Sequence, residues 1–141
     1  MKILSPDGFT PISAVVQGAG AAAEGVSVSV AGLPNAQLKG AGQAFIKSFT
    51  KAVHQAPDPY SVYAAQSAEV FVQAIAKSNG TRGSVAANLF KTKITNGILG
   101  SFSINHNGDT TSNPVTIYKI KGGKSTTVKV IVPPVSLVKA A

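Results

Sequence analysis

The sequence predicts an α/β fold: a three-layer-like sheet flanked by helices, with a C-terminal β-hairpin. Three observations predict it. Strand-like and helical segments alternate through the first part of the chain, which is how α/β folds are built. Val26, Val28 and Val30 alternate with Ser27 and Ser29, the period of a strand with one buried face. Beyond Asn96-Gly97 the helical period gives way to strand-like runs, the last two joined at Gly122-Gly123.

Lys2 to Ser5 is a short apolar run stopped by Pro6-Asp7-Gly8 and reads as a buried strand feeding a turn. Thr10 before Pro11 reads as an N-cap and first helical position, because the first turn has no use for the N–H that proline lacks. A helix over 11–24 follows, smooth and suited to close packing along its alanines and glycines, and Gly25 stops it. After the valine strand, Gly32 and Pro34 mark a loop. Phe45, Phe49 and Val53 then put an apolar face on a helix over 42–54. Asp58-Pro59 repeats the cap-and-proline start, and the helix it opens carries Tyr60, Tyr63, Ala64, Ser67, Phe71, Ala74 and Ile75 on one stripe. Asn79-Gly80 closes that helix, and Thr81 or Ser84 opens a shorter one through Val85, Leu89 and Phe90. Strands are expected over 99–104, 115–121 and 126–132, with a turn at Asn107-Gly108-Asp109 and a stop at Pro133-Pro134. Together these features predict a single α/β domain over 1–134 and a flexible tail over 135–141.

A chain of 141 residues suffices for one apolar core. With 44% apolar and only 13% charged residues it has the composition of a folded protein whose surface is thinly protected against association. Thirteen basic residues against five acidic ones give a net charge of +8, which draws the chain toward polyanions. The lysines are spread from Lys2 to Lys139, however, and Arg82 is the only arginine, so the forked donors that read phosphate and guanine are scarce. A small basic protein that binds nucleic acid or another polyanion through dispersed lysines is the alternative function this charge supports. The absence of cysteine removes disulfides, thiolate metal sites and cysteine nucleophiles. The start, MKILSPDGFT, has no apolar run of the signal-peptide kind, and no stretch is long and apolar enough to span a membrane.

Catalysis needs converging polar groups, and five carboxylates with two histidines supply few. His54 ends a helix, where an imidazole meets free carbonyls, and His106 lies in a polar turn between Asn105 and Asn107. Their separation gives no metal-binding signature. No catalytic residue, cofactor or metal is therefore assigned, and the chain is not expected to be an enzyme. Gly18-Ala19-Gly20 falls within a helix and Gly40-Ala41-Gly42 lacks the third glycine of a dinucleotide loop, so close packing accounts for both. Asn79-Gly80-Thr81 fits a glycosylation acceptor and equally a helix end. Asp7 has the position of a binding residue, just past a strand end where α/β folds meet ligands, beside the bare backbone of Gly8. Its carboxylate suits a ligand ammonium; capping the next helix is the competing role. Tyr60 and Tyr63 open a helix after a Pro-Asp-Pro bend: their stripe points to the core, their place to a cleft wall.

The run from Asp58 to Glu69, DPYSVYAAQSAE, resembles a helix start in the C-terminal third of type I periplasmic binding proteins. Asp7-Gly8-Phe9 after the opening strand, Ala21-Ala22-Ala23-Glu24-Gly25 before the valine strand, and Gly100-Ser101-Phe102 followed by Asn107-Gly108-Asp109 are similar to the same family in the same order. The resemblance covers nearly the whole chain. It implies the C-terminal portion of an extracytoplasmic solute-binding component that closes two lobes around a branched-chain or related amino acid and delivers it to an ABC transporter permease. It also implies that Asp7 pairs with the ligand's α-amino group and that Tyr60 lines the cleft. Family members are much longer, so the resemblance further implies an incomplete site in the isolated chain. Strand edges and apolar helix faces left uncovered, at Phe45, Phe49 and Phe71, then predict a homodimer or a strand-exchanged assembly.

Overall fold

The computed structural model describes residues 2–134; the tail expected over 135–141 lies outside the described residues. In chain order the elements are β1 (Leu4–Ser5), α1 (Ile12–Ala19), β2 (Ser27–Ala31), α2 (Ala41–Val53), α3 (Pro59–Ala76), α4 (Arg82–Phe90), β3 (Lys93–Gly97), β4 (Gly100–Ser103), β5 (Val115–Lys121) and β6 (Lys124–Ile131). Short 3-10 turns cover Asp7–Phe9, Gly20–Ala23 and Asn35–Gln37. The chain divides into two compact units. One gathers the residues up to Pro34 with Asn113–Pro133, and the other gathers Asn35–Ser112.

The first unit is a four-stranded sheet in the order β1-β2-β5-β6, with β1 and β2 parallel and the remaining pairs antiparallel. Val28 lies opposite Tyr118 and Val30 opposite Thr116, so the valine alternation turns one face inward. On that face Val28, Val30 and Ile120 are at most 1% exposed, and Ile12, Val15 and Val16 of α1 pack against them. Those three recur at i, i+3 and i+4, the spacing of one helical stripe. Gly122 (φ 58°) and Gly123 (φ 70°) both take the left-handed conformation that a two-residue hairpin turn demands. The Glu24 carboxylate accepts a hydrogen bond from the Gly122 N–H at 2.9 Å and ties the hairpin tip to the approach to β2.

Two local expectations are corrected. Thr10 does not cap α1: its N–H and Oγ1 both donate to the Asp7 carbonyl, at 2.9 and 2.7 Å, and Pro11 takes the cap position without a side-chain bond. The α-helical part also stops at Ala19, because Gly20 (φ 53°) leaves the right-handed region and the chain tightens into a 3-10 turn. The smooth surface foreseen for close packing is not used at Gly18, where an added Cβ would meet nothing within 4 Å.

Burial raises the Tyr118 phenol above its ordinary value of 10.0, with a hydrogen bond to Thr116 opposing the shift. The folded state thus keeps this proton at pH values where the unfolded chain has lost it. That contribution to stability is complete below about pH 10 and is lost as pH rises through the raised folded value. Tyr118→Phe should therefore show a smaller alkaline fall in urea midpoint than the parent. An equal fall in both would refute the burial effect.

The second unit packs α2, α3 and α4 with the β3–β4 hairpin. Its buried residues include Leu38, Val62, Gln66, Val70, Ala74, Ile94 and Ile98. The inward face of α3 is Val62, Gln66, Val70 and Ala74, a strict four-residue spacing. The stripe expected from the sequence shares only Ala74 with it, and Tyr60, Phe71 and Ile75 are 40%, 51% and 46% exposed. The helix carries two apolar faces, and a hydrogen bond selects between them. Gln66 Oε1 accepts from the Leu99 N–H at 3.2 Å, anchoring the loop between β3 and β4 to that side, while its Nε2 donates to Glu69 Oε2 at 3.0 Å.

Strand β3 precedes the point at which the sequence pattern turns to strands. The expected β start at Asn96-Gly97 is instead its end, where Asn96 (φ 54°) turns the chain toward β4. In α2 the Phe45 and Phe49 rings are half-buried with centroids 5.7 Å apart, which leaves Phe71 as the exposed member of the three phenylalanines named above. Thr81 does cap α4, accepting from the Ser84 N–H at 3.3 Å.

Candidate functional site

Strand β1 runs parallel to β2, and its carboxyl end delivers the chain through Pro6 into the turn Asp7–Phe9. Asp7 is exposed there. Its carbonyl holds the two bonds from Thr10 that fix the turn, so the backbone beneath the carboxylate is set. The N-cap position of α1 is held by Pro11. A Cβ added at Gly8 would meet nothing within 4 Å, which leaves the neighbouring backbone approachable. A carboxylate so placed can accept charge-assisted hydrogen bonds from an ammonium group.

Tyr60 is the second residue of α3, after Asp58 at the N-cap and Pro59 in the first turn. It surfaces at 40% exposure while Val62, two residues on, is fully buried. Tyr63 is half-buried. The core role suggested by the stripe therefore falls to Val62, and Tyr60 presents an amphipathic ring at a helix start. Asp7 belongs to the first unit and Tyr60 to the second.

His54 is the left-handed C-cap of α2 (φ 58°), its N–H bonded to the Thr50 carbonyl at 2.9 Å. His106 is exposed in a turn organised by Asn105, whose Oδ1 accepts from the Asn107 and Asp109 N–H groups at 2.9 Å each. Both have the places that the sequence suggests. Among the described residues no group of three His, Cys, Asp or Glu could hold a metal, and no helix is long and apolar enough to cross a membrane. A cavity of about 150 Å³ in the second unit is lined by the ends of α3 and α4, with Lys77, Lys91 and Lys93 around it, and Tyr60 is not among its walls.

Residues 1–125 match the sequence model of a family described as periplasmic binding protein. No curated protein sequence matches the chain. Solved structures share its fold. A leucine binding protein from Thermotoga maritima superposes with a TM-score of 0.82 at 22% identity, over 94% of this chain and 37% of that one. A branched-chain amino acid transporter substrate binding protein from Streptococcus pneumoniae, solved with isoleucine, gives 0.75 at 22% identity, over 94% and 37%. A branched-chain amino acid ABC transporter protein from Thermus thermophilus with bound valine gives 0.64 at 17% identity, over 100% and 42%. The chain thus spans between 37% and 42% of the length of these three.

Proposed function

The chain belongs to the periplasmic binding protein family, and from that membership we propose that it is the C-terminal portion of an extracytoplasmic solute-binding component of an ABC transporter. Its ligand is a branched-chain or related amino acid, in keeping with the leucine, isoleucine and valine named for the structures that share its fold. Asp7 receives the ligand's ammonium. The exposed carboxylate at the carboxyl end of β1 is the observation that carries this assignment. Binding of this kind asks for no catalytic group, and the permease is the partner in the full-length context. The site in the isolated chain is incomplete, so its affinity is weak.

Calorimetric titration of the chain with leucine, carried into the millimolar range, tests the assignment. Asp7→Asn should weaken binding by about tenfold to a hundredfold, the value of a hydrogen bond to a charged group. Unchanged affinity in this variant would remove Asp7 from the site. The exposed Phe71 and Ile75 support the self-association expected from the sequence, and light scattering on the same samples should return the mass of two chains.

A further inference from the structure

The geometry points to a second interaction surface, independent of the amino-acid site: the face of the four-stranded sheet opposite α1 docks on an anionic lipid surface. Lysines that look scattered in the sequence are collected by the strand register. Residues directly opposite in an antiparallel pair point to the same side. Lys119 lies opposite Ser27 on one flank and Thr126 on the other, Lys121 opposite Lys124, and Lys129 opposite Ile117. The side chains of Val28, Tyr118 and Ile120 point to the α1 side. Lys119, Lys121, Lys124 and Lys129 therefore share the other face, all exposed, with no carboxylate among the residues that register places beside them.

Two features go beyond a solvated surface. Lysines on an edge strand guard against pairing with other chains, which explains Lys124 and Lys129 on β6 but not Lys119 and Lys121 on the interior strand β5. Lys121 and Lys124 are also direct cross-strand partners, a like-charge arrangement that destabilises the hairpin and that a bound anion relieves.

The same face ends in exposed apolar side chains, Leu4 at 66% and Ile131 at 43%, so cations and apolar groups lie on one pleated surface. Phosphate headgroups over an acyl boundary match that combination. Nucleic acid matches it less well, since the face carries neither an arginine nor an aromatic ring on which a base could stack.

Co-sedimentation of the full chain with vesicles of phosphatidylglycerol and phosphatidylcholine in equal parts, against phosphatidylcholine alone, tests the surface. The expected result is binding to the anionic vesicles only, reversed by salt. Each lysine near a charged bilayer is worth about fivefold in partitioning, so the combined Lys119→Thr, Lys121→Thr, Lys124→Thr and Lys129→Thr variant should lose at least about a hundredfold. A charge-matched control with Lys39, Lys47, Lys51 and Lys77, all exposed in the second unit, changed to Gln should keep most of the binding. Circular dichroism establishes that both variants are folded. Equal losses in the two variants would reduce the effect to net charge and overturn the proposal. Failure to sediment with anionic vesicles would overturn it too, as would retention of single-stranded RNA through the same lysines without vesicle binding.

Discussion

Gln66→Ala should destabilise the second unit by about 4 kcal/mol, the sum of a buried large-to-small cavity and an orphaned backbone N–H. Gln66 is 2% exposed at the centre of the inward face of α3, and its Oε1 is the acceptor for the Leu99 N–H. Gly97 closes over the same amide, so close that a Cβ there would collide with Gln66 Oε1. Gln66→Leu separates the two contributions. It restores most of the volume but leaves the Leu99 N–H unpaired, and should cost about 2 kcal/mol. Urea unfolding followed by hydrogen exchange at Leu99 measures both. A Leu variant as stable as the parent would show that the hydrogen bond contributes nothing and that packing alone selects this face of α3.

Gly42→Ala offers a test in which two physical effects have opposite signs. Alanine inside a helix is favoured over glycine by about 1 kcal/mol, so propensity alone predicts a more stable α2. Gly42 is buried, however, and an added Cβ would lie 2.5 Å from the Ile98 carbonyl oxygen and 2.9 Å from Leu38 Cβ. The first of these is backbone and cannot rotate away. Overpacking of this kind costs more than the propensity gain, and a net loss of about 2 kcal/mol is expected. Thermal unfolding of the variant reads the sign directly, and a raised melting temperature would mean that α2 is free to move off the hairpin.

The parts of the fold legible in the sequence are those where one local pattern had one physical meaning. Val26, Val28 and Val30 alternate with serines and are buried as expected, and Gly122-Gly123 makes the hairpin turn it suggests. The helix over 42–54 appears within one residue, because Phe45 and Phe49 mark its face and His54 ends it. The misses arise where two patterns competed. Helix α3 is apolar on two sides, and only Gln66, a polar residue that periodicity counts against the core, decides which side is buried. Thr10 offered a cap, but the Asp7 carbonyl claimed its hydroxyl first.

The candidate site divides the same way. That Asp7 follows a strand was readable from Lys2–Ser5, but that Pro11 and not Thr10 holds the N-cap depended on where α1 begins, a matter of one residue. Tyr60 could not be separated from the core stripe until the burial of Val62 took its place. The lysine face was hidden for a different reason, since composition counts charges while register assigns them to sides. A hairpin drawn around Gly122-Gly123 already pairs Lys121 with Lys124, and from that pairing the others follow up to the bulge in the β5–β6 ladder.

The assignment of Asp7 to a ligand ammonium is tested most directly by amide NMR, comparing leucine with the carboxylic acid of the same carbon skeleton that lacks the amino group. Leucine should move the amide signals from Asp7 to Thr10, and the deaminated acid should leave them in place at the same concentration. If both compounds moved those signals alike, or if leucine bound without disturbing them, the ammonium partner would lie elsewhere and the assignment of Asp7 would be contradicted.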